Sequence, residues 1–136
     1  MIRLKTTCRI LVGLLFVTAG ILHFTKTGFF VSIVPSFLPF PAALVYISGV
    51  CEILGGIGVL IPWFRMQAGY GLIALLLAVF PANINMLVQS IHDHGWSSIT
   101  VLLILRLPLQ LALIALVNWL TKAEPYNEPG QQEGKR

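Results

Sequence analysis

Four long apolar blocks dictate the architecture of this chain. A helix that crosses a bilayer needs about 20 consecutive, mostly apolar residues, and such runs lie at about 9–25, 42–61, 67–90 and 98–120. Arg9 and Lys26 bracket the first, with stems long enough to snorkel their charges to the interfaces; Pro41 and Pro62 bracket the second. The other spanning structure, a closed barrel, needs side chains that alternate between lipid and lumen. The run Leu72-Ile73-Ala74-Leu75-Leu76-Leu77 does not alternate. Composition agrees: of 136 residues, 57% are hydrophobic and 10% charged, against about 25% charged in a soluble domain. An ordinary soluble enzyme and a disordered chain are thereby excluded. The net charge of +4 is no nucleic-acid footprint, because the basic residues flank the apolar blocks instead of lining one groove. The expected fold is an all-α integral membrane four-helix bundle over residues 1–121, followed by a disordered cytoplasmic tail at 122–136.

Orientation follows from the distribution of Lys and Arg over the short loops. With both termini in the cytoplasm, Arg3, Lys5, Arg9, Arg65, Lys122, Lys135 and Arg136 fall on the inner side and Lys26 alone on the outer side. Both termini are therefore expected to be cytoplasmic. The basic start followed by Val17-Thr18-Ala19 also fits a cleaved signal peptide, but the apolar run continues through Ile21 and Leu22, which favours a retained helix. The connection from Thr25 to Pro41 carries Phe29, Phe30, Phe37 and Phe40 and is apolar enough to lie in the outer interface; its stretch from Phe29 to Phe40 is expected to line a lateral entrance to any pocket in the outer half. Residues 91–98 read as an outer turn built on His92-Asp93-His94-Gly95-Trp96.

Helices in lipid associate by close packing, so small residues mark inward faces. At helical spacing, Gly13, Phe16, Gly20 and His23 share one face of the first block, and Gly49, Glu52 and Gly56 one face of the second. On the third block, Gly71, Ala74, Ala78, Ala82 and Asn85 form a small-residue stripe expected to face inward. Asn83 lies off that stripe unless Pro81 re-aims it. Arg106 and Gln110 lie one turn apart on the fourth block. An ionisable group inside a bilayer is costly and marks a functional site by default. Pairing Glu52 with Arg106 would relieve that cost as a structural staple or as part of a ligand site; His23, Asn85 and Gln110 add polarity that a staple alone does not need.

Other chemistry is sparse. Cys8 and Cys51 fall at different depths and read as packing residues. His92-Asp93-His94 resembles a metal-ligand set, but a metal site needs three or four convergent ligands, and none is expected. No nucleophile elbow, phosphate loop, dinucleotide fingerprint or haem attachment motif is present.

Several stretches resemble a known family. The run from Arg9 to Gly20, followed by His23-Phe24, is similar to the first-helix signature of the DoxX-like membrane proteins. Glu52-Ile53-Leu54-Gly55-Gly56, with Leu60, Arg65 and Ala68, is similar to their second-helix and turn signature. Pro81-Ala82-Asn83-Ile84-Asn85-Met86 and Arg106-Leu107-Pro108 resemble one subgroup. The resemblance extends to about Leu120 and implies a four-helix protein of the bacterial cytoplasmic (inner) membrane. Related proteins include a subunit of a thiosulfate:quinone oxidoreductase, members of oxidative-stress complexes and, in animals, receptor-assembly factors.

The resulting expectation is a quinone- or lipid-binding auxiliary subunit of a membrane oxidoreductase. Its pocket, in the outer half of the bundle, is expected to draw on His23, Glu52, Asn83, Asn85, Arg106 and Gln110. No cofactor motif is encoded, so a quinone is the candidate cofactor. The bilayer and a membrane or redox protein are the candidate partners, and nucleic acid is not. The alternative is a non-enzymatic protein that assembles or stabilises another membrane protein. A small-solute channel is disfavoured by the shortage of polar residues in the inner half.

Overall fold

The computed structural model describes residues 2–123 and is helical throughout, with no strand among the described residues. The elements are α1 (Ile2–Thr25), α2 (Thr27–Ile33), α3 (Pro41–Gly58), α4 (Arg65–His94) and α5 (Ser98–Thr121). All but α2 are long and apolar enough to cross a membrane, and their apolar outer faces suit contact with lipid. Of the tail expected at 122–136, residues 124–136 lie outside the described residues. Successive long helices are neighbours: α1 packs on α3, α3 on α4, and α4 on α5. They run antiparallel. Gly13 meets Gly56 and Gly20 meets Gly49 across α1 and α3, while Gly69 of α4 meets Thr121 of α5. One end of the bundle thus carries the start of α1 and the finish of α5; the opposite end, called the far end below, carries α2 and the α4–α5 turn.

The α1–α3 interface shows why glycine recurs on those faces. A Cβ on Gly20 would lie 2.6 Å from the Gly49 carbonyl oxygen, and one on Gly56 would lie 2.7 Å from that of Gly13. Backbone lies against backbone, the close approach by which small residues join helices where lipid supplies no hydrophobic drive.

On α4 the expected inward stripe is corrected. The buried positions are Gly69, Leu72, Leu76, Asn83 and Ser90, whereas Gly71 has nothing within 4 Å of where a Cβ would stand, and Ala74 and Ala78 are exposed. The small side chains that matter here lie on the opposing helix. Gly55 of α3 leaves the space that the Leu72 side chain fills, so α4 contributes bulk there; of the expected stripe Gly71 and Ala74 face outward, while Ala78 and Ala82 line the cavity described below. Asn85 is half-buried, not central.

Boundaries differ for identifiable reasons. At about 1.5 Å per residue the 30 residues of α4 span ~45 Å, more than the ~30 Å of a hydrocarbon core. Its last turn, including His92-Asp93-His94, therefore continues as helix where a turn was expected. Within the expected loop, α2 forms a short helix before Pro35 and Pro39 interrupt the chain. Pro41 occupies the first turn of α3, where its missing N–H costs nothing, and Phe40 before it takes a left-handed conformation (φ 53°). Ser97 caps α5, its hydroxyl accepting from the Thr100 N–H at 3.3 Å.

The start of α1 at Ile2 places Arg9 inside the helix, not at its mouth. Its side chain is buried, and Nε donates to the Leu120 carbonyl at 2.9 Å. The cation thereby satisfies a carbonyl that the end of α5 leaves without an intrahelical donor and lies against the negative end of that helix dipole. Arg9 thus ties two helices together where the sequence suggested a snorkelling residue. Arg65 does likewise for α3, its Nε donating to the Val59 carbonyl at 3.1 Å. Between these ties lies the apolar core: Val12, Phe16, Val59, Leu72, Leu76, Val117 and Leu120.

Candidate functional site

The glycine contact that joins α1 to α3 also places the first polar pair. His23 follows Gly20 by one turn, and its Cβ lies against Gly49, 2.8 Å from where a Cβ there would be. Glu52 follows Gly49 by one turn on α3. The two side chains meet with His23 Nδ1 at 3.2 Å from Glu52 Oε2, both about nine-tenths buried. Nδ1 is also 2.8 Å from the Ala19 carbonyl. A carbonyl only accepts, so Nδ1 carries a proton and spends it on Ala19, leaving Glu52 Oε2 beside the ring nitrogen without a hydrogen bond from it. Phe30 of α2 stacks on the ring, centroids 3.9 Å apart. Glu52 Oε2 is buried without a hydrogen-bond partner, a condition that native structures rarely leave unexplained.

The partner expected for Glu52 was Arg106, and this is corrected. Among the described residues Arg106 forms no ion pair. Its Nη1 donates to Met86 Sδ at 3.7 Å, and the side chain is exposed. The reason is lateral: Glu52 faces α1, against which α3 packs most tightly, while α3 and α5 have no direct backbone approach. Arg106 and Glu52 instead stand on two walls of a common cavity, where the guanidinium charge still acts on the carboxylate without direct contact.

That cavity has a volume of about 380 Å³ and is walled mainly by apolar side chains. Its polar lining residues are His23, Ser48, Glu52, Asn83, Arg106 and Gln110. Asn83 and Gln110 are buried and matched to each other: Asn83 Nδ2 donates to Gln110 Oε1 at 2.6 Å, and Gln110 Nε2 donates to the Leu76 carbonyl at 2.6 Å. This clamp joins α5 to α4 on both sides of Pro81, at Leu76 and at Asn83; the proline nitrogen leaves that stretch of helix a donor short. Asn85, the sixth residue singled out in the sequence, does not line the cavity. Its Nδ2 donates to the Ile33 carbonyl at 3.1 Å, holding the last turn of α2 against α4.

A family described as a domain of unknown function (DUF8561) has a model that matches residues 12–121. The chain belongs to that family. No curated protein and no solved structure matches it. The DUF8561 span includes every residue of the cavity wall and omits the first ten residues or so of α1.

Two residues of the site, Ser48 and Met86, are not among the site residues expected from the sequence, whereas Phe30 belongs to the Phe-rich stretch expected at the entrance. Ser48 lines the cavity one turn before Glu52, a position that i, i+4 spacing on the same face would have marked. Met86 contacts Arg106 and Phe30 contacts His23 across helices; which side chain each one meets has no signal in the sequence. The remaining candidates stand apart. His92 Nδ1 lies 3.0 Å from Asp93 Oδ1 at the exposed end of α4, and no group of three or more His, Cys, Asp or Glu is brought together among the described residues. Cys8 and Cys51 are both free thiols, Cys51 being exposed.

Proposed function

We propose that this is a multi-pass protein of the bacterial cytoplasmic membrane, both termini cytoplasmic, that binds a quinone or another lipid-soluble carbonyl compound as an auxiliary subunit of a membrane oxidoreductase. The observation that carries the reading is the cavity. Its volume of about 380 Å³ falls in the range of roughly 300–1,000 Å³ usual for small-molecule sites, as does its plan of apolar walls with a few convergent polar groups. The resemblance to DoxX-like proteins and the basic residues at the termini end support the redox role and the orientation. The buried, unmatched Glu52 Oε2 is a polar atom that a bound head group would complete, so the residues fit a quinone ring. A quinone, when bound, supplies reversible two-electron, two-proton redox capacity. Arg106 would hold one carbonyl oxygen by donating to it, a charge-assisted bond. Glu52, oriented by His23, would hold or accept a proton at the opposite edge. Phe30 and the apolar wall would exclude water from the ring. No electron carrier is encoded, so the electrons would come from a partner subunit.

Thermal unfolding of the purified protein in detergent, with and without a short-chain ubiquinone or menaquinone analogue, tests this directly. A saturable upward shift, abolished by Glu52→Gln and by Arg106→Ala, is expected. A flat response across both quinone classes would sink the reading.

One observation favours the second reading, an assembly partner for another membrane protein. The outward surface of α4 at Gly71 and Ala74 is open, and small residues there permit another helix to approach closely. Co-purification of a stoichiometric partner that Gly71→Leu displaces, with no quinone response, would favour it.

A further inference from the structure

The walls of the cavity are unequal. At the far end it is roofed by α2 and the segment behind it, with Phe30, Ile33, Val34, Pro35 and Leu38 on its lining. Ile33 and Pro35 are buried, and Asn85 fastens the last carbonyl of α2. Toward the termini the apolar core closes it. Its side is not closed. α5 makes no backbone approach to α2 or α3 and meets α1 only sparsely. The polar ties between α1 and α5 lie at the termini end, where Arg9 holds the Leu120 carbonyl and Lys5 sits over the Trp119 ring. Beyond those ties, Arg106 and Leu109 line the cavity and yet remain exposed, Leu109 by 66%. A side chain that belongs both to a cavity wall and to the outer surface marks a mouth. Arg106 is eight residues past the first residue of α5, ~12 Å below that end at the helical rise, so in a bilayer the mouth opens among acyl chains.

We infer that this mouth, between α5 and the α1–α2 side, is a lateral portal, and that the ligand is an amphiphile whose oxygen-acceptor head meets Arg106 while its apolar tail stays in the bilayer. This rests on the binding reading above and adds to it the route and the class of molecule. Under the roof the exposed lining residues Leu38 and Leu44 are each 36% exposed, against 66% for Leu109, so the wider way to Glu52 is lateral, through lipid. The guanidinium at the rim has only a thioether, a weak acceptor, as its hydrogen-bond partner among the described residues. A cation at such depth is stabilised by an oxygen acceptor brought to it. A quinone carbonyl on an isoprenoid tail and a carboxylate on an acyl chain share that chemistry.

The portal is tested by photolabelling the full chain in lipid nanodiscs with two probes: a ubiquinone analogue and a palmitic acid, each with a diazirine near the end of its tail. Labelling that an excess of unreactive probe competes away should map to α1 and α5, and the probe that labels identifies the head. Leu109→Trp should cut that labelling at least tenfold, and Arg106→Gln should weaken it. Leu111→Trp, two residues on and nearly opposite around α5, should leave it unchanged. Competable labelling confined to residues 27–40 would overturn the portal and keep the cavity as a binding site. A thermal shift with competable labelling on neither α1 nor α5 would also overturn it. Absence of both thermal shift and competable labelling would remove the binding reading itself.

Discussion

The two halves of this bundle solve the same problem differently. At the termini end, each buried charge or donor described above is matched within the protein: Arg9 to the end of α5, Arg65 to the end of α3, and Thr121 Oγ1 to the Val117 carbonyl at 2.8 Å. The space between is filled by a dry apolar cluster. Toward the far end, polar residues converge on a cavity, one carboxylate oxygen is left unmatched, and a guanidinium stands at the rim. A chain with so few charges has placed three of them, Arg9, Glu52 and Arg106, where lipid or protein must accommodate them. The first is absorbed by the fold, whereas the other two line the cavity, Glu52 beside His23 and Arg106 beside Met86. Polarity in a membrane bundle therefore says little until its partners are counted.

The contrast can be broken most severely at the helix contact on which both halves depend. Gly20→Val should prevent the protein from accumulating in the membrane, because even a Cβ there meets the Gly49 carbonyl and the Ile53 side chain at 2.6 and 2.7 Å; immunoblotting of membrane fractions measures this. Next comes the cavity. Glu52→Gln should weaken quinone-analogue binding at least tenfold in a thermal-shift titration while the ligand-free unfolding midpoint holds or rises, since an amide of the same shape avoids burying an ionisable group.

The matched half should respond in the opposite way. Arg9→Ala leaves the Leu120 carbonyl unpaired and should cost about 1–3 kcal/mol in reversible unfolding, with ligand binding unchanged. Gln110→Leu should cost about the same by orphaning Asn83; adding Asn83→Leu should recover part of the loss, because removing both partners of a buried bond is cheaper than removing one. The smallest effect belongs to the open face of α4. Gly71→Ala should be neutral or stabilising by up to ~1 kcal/mol in the same unfolding assay, and a marked loss there would mean that another helix normally covers it.

Some of this was legible residue by residue. The four apolar blocks, the proline brackets of α3, and the glycine faces of α1 and α3 follow from spacing, because in lipid a helix must close its own backbone bonds. His23, Glu52, Asn83, Arg106 and Gln110 could be named as polar exceptions in apolar runs, and the structure puts all five on one cavity. Their partners could not be read. Glu52 sits against His23, not Arg106, and Asn83, not Asn85, turns inward. On α4 the choice of face was settled by Leu72 filling the gap at Gly55, a feature of the neighbouring helix that α4's own periodicity does not contain.

Taken alone, the sequence determined how many times the chain can cross a membrane and which side chains are out of place in lipid, since both depend on the apolar content of each block. Which polar groups satisfy one another, where α5 stands away from α2 and α3, and hence which side of the cavity is open were decided only by tertiary packing. Helices in lipid feel little hydrophobic pull toward any one neighbour, so their mutual rotation is set by where knobs such as Leu72 find gaps such as Gly55.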